Sequence, residues 1–239
     1  MQLPPDIADS FLDTRSELLP SLDEESAKKL VREYLETTDS SLVNDHFIVH
    51  SDEKRVIPAL AELTSSEGPV TQLKWMGQVY SNNRVHDQVV VFREKEGEQK
   101  NRIALLFKGD DGTWRIDFDA YMRTSTPSWE DILSRNSETS VVRVFIGRYN
   151  YYNGIYSDDQ IWQAYSIISP DVPEIIYGYV KKDSIQEIAL SRIISAGREA
   201  PRTVLGLLSK DDAGERQFEI SRVYAEDWAL APEAYDESF

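Results

Sequence analysis

Only three histidines occur in the chain, His46, His50 and His86. His46 and His50 stand four residues apart, a spacing that on one helix puts two imidazoles on the same face, where they can share a metal. The surrounding NDHFIVHSDE joins the end of one helical pattern to the start of the next, so the pair is not expected on a continuous helix, and HExxH is absent. No metal site is expected. The chain has no cysteine, which removes thiol nucleophiles, disulfides, Cys-ligated zinc and iron–sulfur clusters. A serine hydrolase needs its nucleophile on a sharp elbow beside a base, and GxSxG does not occur. Neither GxxxxGK[ST] nor GxGxxG is present to cradle a phosphate. No cofactor is expected. The unusual local feature is aromatic: Tyr149, Tyr151, Tyr152, Tyr156 and Trp162 crowd one short stretch. Tyrosine brings a large apolar face and a polar tip, which suits an interface. The same rings also suit the packed junction between two modules, or the closing of a barrel.

The elements that must position these residues follow from periodicity. Ser21 with Glu24 has capping-box spacing, and Ala27, Leu30, Val31, Tyr34 and Leu35 recur at helical intervals. TTDSS (37–41) ends that helix. A second begins after Ser51, with Val56, Ile57, Leu60 and Ala61 as its stripe. The pattern then changes to strands at 73–80, 86–93, 102–108 and 113–122, separated by SNN, EKEGE and GDDG turns, as in antiparallel hairpins. In the last of these, Trp114, Ile116, Phe118 and Ala120 alternate with Arg115, Asp117, Asp119 and Tyr121, which predicts a half-buried strand with one wet face. Residues 127–133 read as a short helix. The polar run 134–140 reads as a boundary. Beyond it, strands are expected at 141–149, 161–168 and 175–180. A helix capped by Ser184 and Glu187 follows, with Ile185, Ile188, Ala189 and Ile193 toward a core, and then strands at 203–208 and 217–224. The expected domains are a lead-in 1–20 with a helical turn near Phe11–Leu19, an α+β domain 21–133, a β-rich domain 134–231 and a flexible tail 232–239.

Charge narrows the partners. The chain has 239 residues, 26 Lys+Arg against 42 Asp+Glu and a formal net charge of −16. Residues 1–130 carry 15 basic against 24 acidic side chains, and residues 131–239 carry 11 against 18, so both halves are acidic. Such a surface repels phosphate backbones and anionic membranes, and favours a protein or peptide partner. No nucleic acid is expected. The opening MQLPPDIADSFLD has no basic n-region or apolar h-region, and no stretch approaches the roughly 20 apolar residues of a membrane span. The chain is therefore expected to be soluble, with no membrane insertion.

Helices followed by an antiparallel sheet whose last turn and strand read Asp111-Gly112-Thr113-Trp114-Arg115-Ile116-Asp117 resemble the NTF2-like (cystatin-like cone) fold over roughly residues 20–125. Three strands, a helix and two strands over the second half resemble the OB-fold, with FEISRVYAEDWAL (218–230) as its closing strand. The pair is similar to two-module bacterial proteins with an NTF2-like half before an OB-like half. The resemblance implies an α+β fold, a cone followed by a β-barrel with one helix, and it supplies no functional residues. Cone enzymes place a carboxylate and a tyrosine or histidine around an apolar cavity, where burial shifts the pKa toward neutrality. On that pattern the catalytic candidates are His86, Asp87, Asp117, Asp119 and Tyr121. Trp75, Phe92, Phe107 and Trp114 are the side chains that would otherwise fill the cone. The expected function is a non-enzymatic binding or assembly module, through Tyr149, Tyr151, Tyr152, Tyr156 and Trp162. An isomerase or lyase in the cone is the alternative, and single-strand nucleic-acid binding on the barrel is a further one.

Overall fold

The structure is a computed structural model that describes residues 21–197 and 200–239; the lead-in 1–20, with its expected helical turn, lies outside these residues. The described residues group into two compact units. One runs to Tyr80 and resumes at Val85–Phe118, and the other comprises Ser81–Arg84 and Asp119–Phe239. The polar run 134–140 lies inside the second unit. Among the described residues no helix is long and apolar enough to cross a membrane.

The first unit begins with α1 (Glu24–Leu35). Its N-cap is Asp23, whose carboxylate accepts from Ser26 N at 2.9 Å, and not Ser21 as the capping-box spacing suggested. Ala27, Val31, Tyr34 and Leu35 form its buried stripe. The short α2 (Val43–His46) leads directly into β1 (Phe47–Ile48). A 3-10 turn capped by Asp52 opens α3 (Val56–Glu67), with Val56, Leu60 and Leu63 buried. The long strands β2 (Val70–Ser81), β3 (Arg84–Lys95) and β4 (Glu98–Lys108) precede the short β5 (Trp114–Asp117). The sheet order is β1-β5-β4-β3-β2, antiparallel in β3–β4–β5 and parallel between β1 and β5. Arg93 donates to Gly68 O at 2.7 Å, and Arg102 forms a two-pronged pair with Glu67 at 2.8 and 2.9 Å. Both arginines project from the sheet face that carries Asp87, Val89 and Val91, so the end of α3 lies against that face.

The expected strand over 113–122 is corrected. It stops at Asp117, and Phe118–Met122 form α4. The alternating wet face is therefore absent: Asp117, Asp119 and Tyr121 are all buried.

In the second unit α5 (Trp129–Leu133) is capped by Ser128. Then come β6 (Thr139–Arg148), β7 (Trp162–Ile168), β8 (Ile176–Lys181), α6 (Ile185–Ser195), β9 (Arg202–Leu208) and β10 (Gln217–Ala225). These strands close into a five-stranded barrel, β10-β8-β7-β6-β9. Every pairing is antiparallel except β8 with β10. Alternation sends Val142, Val144, Ile146, Tyr165, Ile167, Ile176, Leu205, Phe218 and Ile220 into one core. Gly178 shares that interior, and a Cβ there would meet the Cδ1 methyls of Ile167 and Ile220 at 2.7 Å, so any side chain at this position would have to push both isoleucines aside. Helix α6 faces the core with Ala189, Leu190 and Ile193, while Ile185 and Ile188, expected inside, are exposed. The final residues are tied down. Asp236, fully buried, accepts from Val223 N at 2.9 Å and from Gln186 Nε2 at 3.3 Å.

Candidate functional site

Strand alternation in the barrel leaves Phe145 and Gly147 of β6, Ala164, Ser166 and Ile168 of β7, and Tyr177 and Tyr179 of β8 on the outer face. Register aligns them in rows. Gly147 faces Ser166, which faces Tyr177. One step along, Phe145 faces Ile168, and Ile175 continues that row just beyond the Ile167–Ile176 pair. In the other direction lies Tyr149, whose N–H is held by Ala164 O at 3.0 Å. Tyr149 and Tyr151 gather on Tyr177, with ring centroids 5.8 and 4.3 Å away and planes within about 33°. Ile168, Ile175, Tyr149 and Tyr151 are 47, 40, 41 and 38% exposed. Between them Gly147 has no side chain and Ser166 has only a hydroxymethyl, so the middle row is low at these two positions and rises at the Tyr177 ring. A Cβ at Gly147 would already touch Ser166 Oγ at 3.1 Å.

The segment after Tyr149 folds over the neighbouring outer face. Tyr156 stacks on Tyr179 at 4.1 Å with planes 4° apart, and meets Trp162 edge-on at 5.0 Å. Tyr152 and Trp162 are half-buried against this cluster. Gln217 stitches it together: its amide nitrogen donates to Tyr179 Oη at 2.9 Å and Asn153 O at 3.4 Å, and its oxygen accepts from Gly214 N at 2.8 Å. Tyr179 Oη in turn donates to Tyr151 O at 2.9 Å. Arg135 braces the β9–β10 loop by donating to the carbonyls of Lys210 at 2.8 Å and Ala213 at 2.7 Å, and to that of Gly214. Burial pushes the Tyr156 phenol well above its ordinary range and that of Tyr179 up to about 12, against the opposing pull of the Gln217 bond. The five aromatic candidates thus divide. Tyr149 and Tyr151 are open to a partner, and Tyr152, Tyr156 and Trp162 build the platform beneath.

Of the catalytic candidates, Asp119 and Tyr121 belong to the second unit, and in the first unit His86 and Asp87 lie on opposite faces of β3. Asp87 is fully buried, and its carboxylate accepts from Trp75 Nε1 at 3.2 Å and Leu22 N at 3.4 Å. His86 points to the opposite face of β3, beside Phe107 (4.9 Å) and Gln88 (3.0 Å). Trp75 and Phe107 therefore do not share one filling. Asp117 lies 3.5 Å from His50. His46 stacks on Tyr34 at 4.0 Å, so the two histidines i and i+4 diverge, and burial lowers the His46 pKa. A pocket of about 450 Å³ opens between α1 and α3, lined by Leu35, Ile57, Leu60, Pro69, Val70 and Arg93 among others, and Asp87 does not line it. Among the described residues no group of three or more His, Asp or Glu could hold a metal ion.

No family model, curated protein or solved structure matches this chain. The site therefore rests on its own geometry. Sequence reasoning singled out the tyrosines and not Ile168, Ile175 or the Gly147–Ser166 dip. A lone exposed isoleucine at a strand end carries no signal in sequence, and the rows exist only once β6, β7 and β8 are in register.

Proposed function

We infer that this chain is a non-enzymatic binding or assembly protein whose barrel docks another protein. One observation carries the reading: five large apolar side chains, Tyr149, Tyr151, Ile168, Ile175 and Tyr177, stand together on one outer strip of a well-packed barrel. Leaving such groups in water forgoes the stabilisation their burial would bring, and contiguous apolar surface of this kind marks interaction sites. The OB-like reading of this unit is supported by the strand circuit β6-β7-β8-β10-β9, by the parallel β8–β10 pair and by the helix between the third and fourth strands. The NTF2-like reading of the first unit is supported by helices that precede a meander of long strands. The isomerase or lyase alternative has less behind it, since the buried Asp87 already holds two N–H donors.

A photo-crosslinking amino acid placed at Tyr151 in the full chain, in its native cells, tests the reading. Discrete protein adducts are expected there, and they should disappear when Ile175→Asp is added. A crosslinker at Glu62, exposed on α3, is the control. Equal capture at both positions, or none at Tyr151, overturns the docking role.

A further inference from the structure

We propose that the dip over Gly147 and Ser166 receives an extended, net-cationic segment of another protein, anchored by a proline or a small aliphatic side chain. This rests on the docking reading above and names the chemistry of the partner.

Shape comes first. Successive outward residues of a strand are about 6.6 Å apart, which is also the i, i+2 spacing of an extended peptide laid on them. A segment crossing the strip meets the isoleucine ridge, the dip and the tyrosine ridge in turn. The dip admits only a small group, because its floor is Gly147 and Ser166 and its wall is the Tyr177 ring. A proline or short aliphatic group packs on a tyrosine face with little side-chain entropy to lose, and an extended backbone is preorganised for such a groove.

Charge comes second. None of the strip residues Phe145, Gly147, Tyr149, Ser166, Ile168, Ile175 and Tyr177 is basic. The two nearby arginines of β6 are committed elsewhere. Arg143 donates to Trp228 O and Thr124 O, each at 2.9 Å, and Arg148 reaches Ser191 at 2.7 Å and Glu187 at 3.6 Å on α6. The segment 149–161 carries Asp158 and Asp159 and no basic residue, and Glu174 is exposed beside Ile175, while Lys181, Lys182 and Arg216 are exposed cations on the adjoining backbone. The margin is thus of mixed charge, and it is the net charge of −16 on the chain that favours a cationic ligand and steers it in.

The experiment uses the full chain and fluorescence anisotropy at low salt. Four labelled probes are titrated: a peptide with a Pro-Leu-Pro centre and arginine flanks, the same centre with glutamate flanks, a Gly-Ser centre with arginine flanks, and oligo(dT). Only the first is expected to saturate, with a Kd on the order of 100 μM or tighter. Gly147→Val, which fills the dip, and Tyr151→Ala should each weaken it about tenfold or more, while Glu62→Ala leaves it unchanged. Melting curves matching the parent show that the variants are folded. Equal binding of the Gly-Ser peptide overturns the proposal, because charge alone then suffices. Binding of the glutamate-flanked peptide that Gly147→Val abolishes overturns the cationic class yet leaves the docking function standing. Saturable, salt-sensitive oligo(dT) binding overturns both. So does a failure of every probe up to about 1 mM, unless sedimentation shows a dimer that Gly147→Val dissolves, in which case the occupant is a second copy and the proposed partner class is wrong.

Discussion

Tyr165 inside the barrel and Tyr179 beneath the aromatic loop both keep their phenol protons up to about pH 12, chiefly through burial, with the negative charge of Glu187 adding to the effect at Tyr165. The unfolded chain releases the same protons near the ordinary tyrosine value of 10. The folded state thus binds more protons between these limits, and the stability this represents is whole below about pH 10 and is lost as pH rises through about 12. Phenolate absorbance, followed with circular dichroism, should show these two rings ionising only as the fold gives way. Ionisation of every tyrosine near pH 10 with the fold intact would sink this expectation. A second expectation belongs to Glu67 and Arg102, which are 7 and 6% exposed and share two hydrogen bonds. Glu67→Ala leaves a buried guanidinium without that carboxylate and should cost about 3–5 kcal/mol in urea unfolding. Glu67→Leu with Arg102→Met should recover most of the loss, because two apolar side chains leave no charge buried.

Helices α1, α5 and α6 start at side-chain caps, and the two capping-box spacings seen in the sequence fared differently. Ser184 does cap α6, accepting from Glu187 N at 3.3 Å, so Ser184→Ala should cost about 1 kcal/mol. Ser21→Ala should leave the denaturation midpoint where it is, while Asp23→Ala should lower it, because Asp23 is the residue that caps α1. An equal effect of Ser21→Ala and Asp23→Ala would restore the capping-box reading. The strands of the barrel were legible to within about two residues because their alternation is clean and Gly/Asp/Pro turns bound them. The region 113–122 was not. Phe118, Ala120 and Met122 continue a period of two, and a five-residue helix is too short for its own period to compete. Helix α6 was found but with its inward face partly misassigned: apolar residues occupy more than one side, and only packing on the barrel selects Ala189, Leu190 and Ile193 over Ile185 and Ile188. At the candidate site, composition pointed to the tyrosine run. Whether a ring is buried like Tyr156 or open like Tyr151 depends on how the loop folds over β8, a long-range choice that local sequence does not encode.

At the scale of the whole molecule the charges chiefly repel one another. A net charge of −16 spread over both halves of a 27.4 kDa chain opposes the compact state, because folding brings like charges closer than they lie in the expanded chain. Surface ion pairs such as Lys28–Glu24 and Arg115–Asp111 act in the opposite sense, but exposed pairs contribute little and are themselves screened. The pairs that matter more, Arg102–Glu67 and Arg202–Asp227, have at least one partner under 10% exposed, and salt screens them much less. Added sodium chloride should therefore relieve the repulsion more than it weakens the attraction. Screening length falls from about 30 Å at 0.01 M to about 8 Å at 0.15 M and about 3 Å at 1 M, so most of the gain should come below physiological ionic strength. The check is a series of urea unfolding curves across that range. The midpoint should climb steeply at first and then level off, with little change in slope. A midpoint that falls as salt is added would mean that ion pairs outweigh repulsion. The acidity would then be organised into stabilising networks, and the long-range negative field invoked for partner selection would be weaker than the formal charge implies.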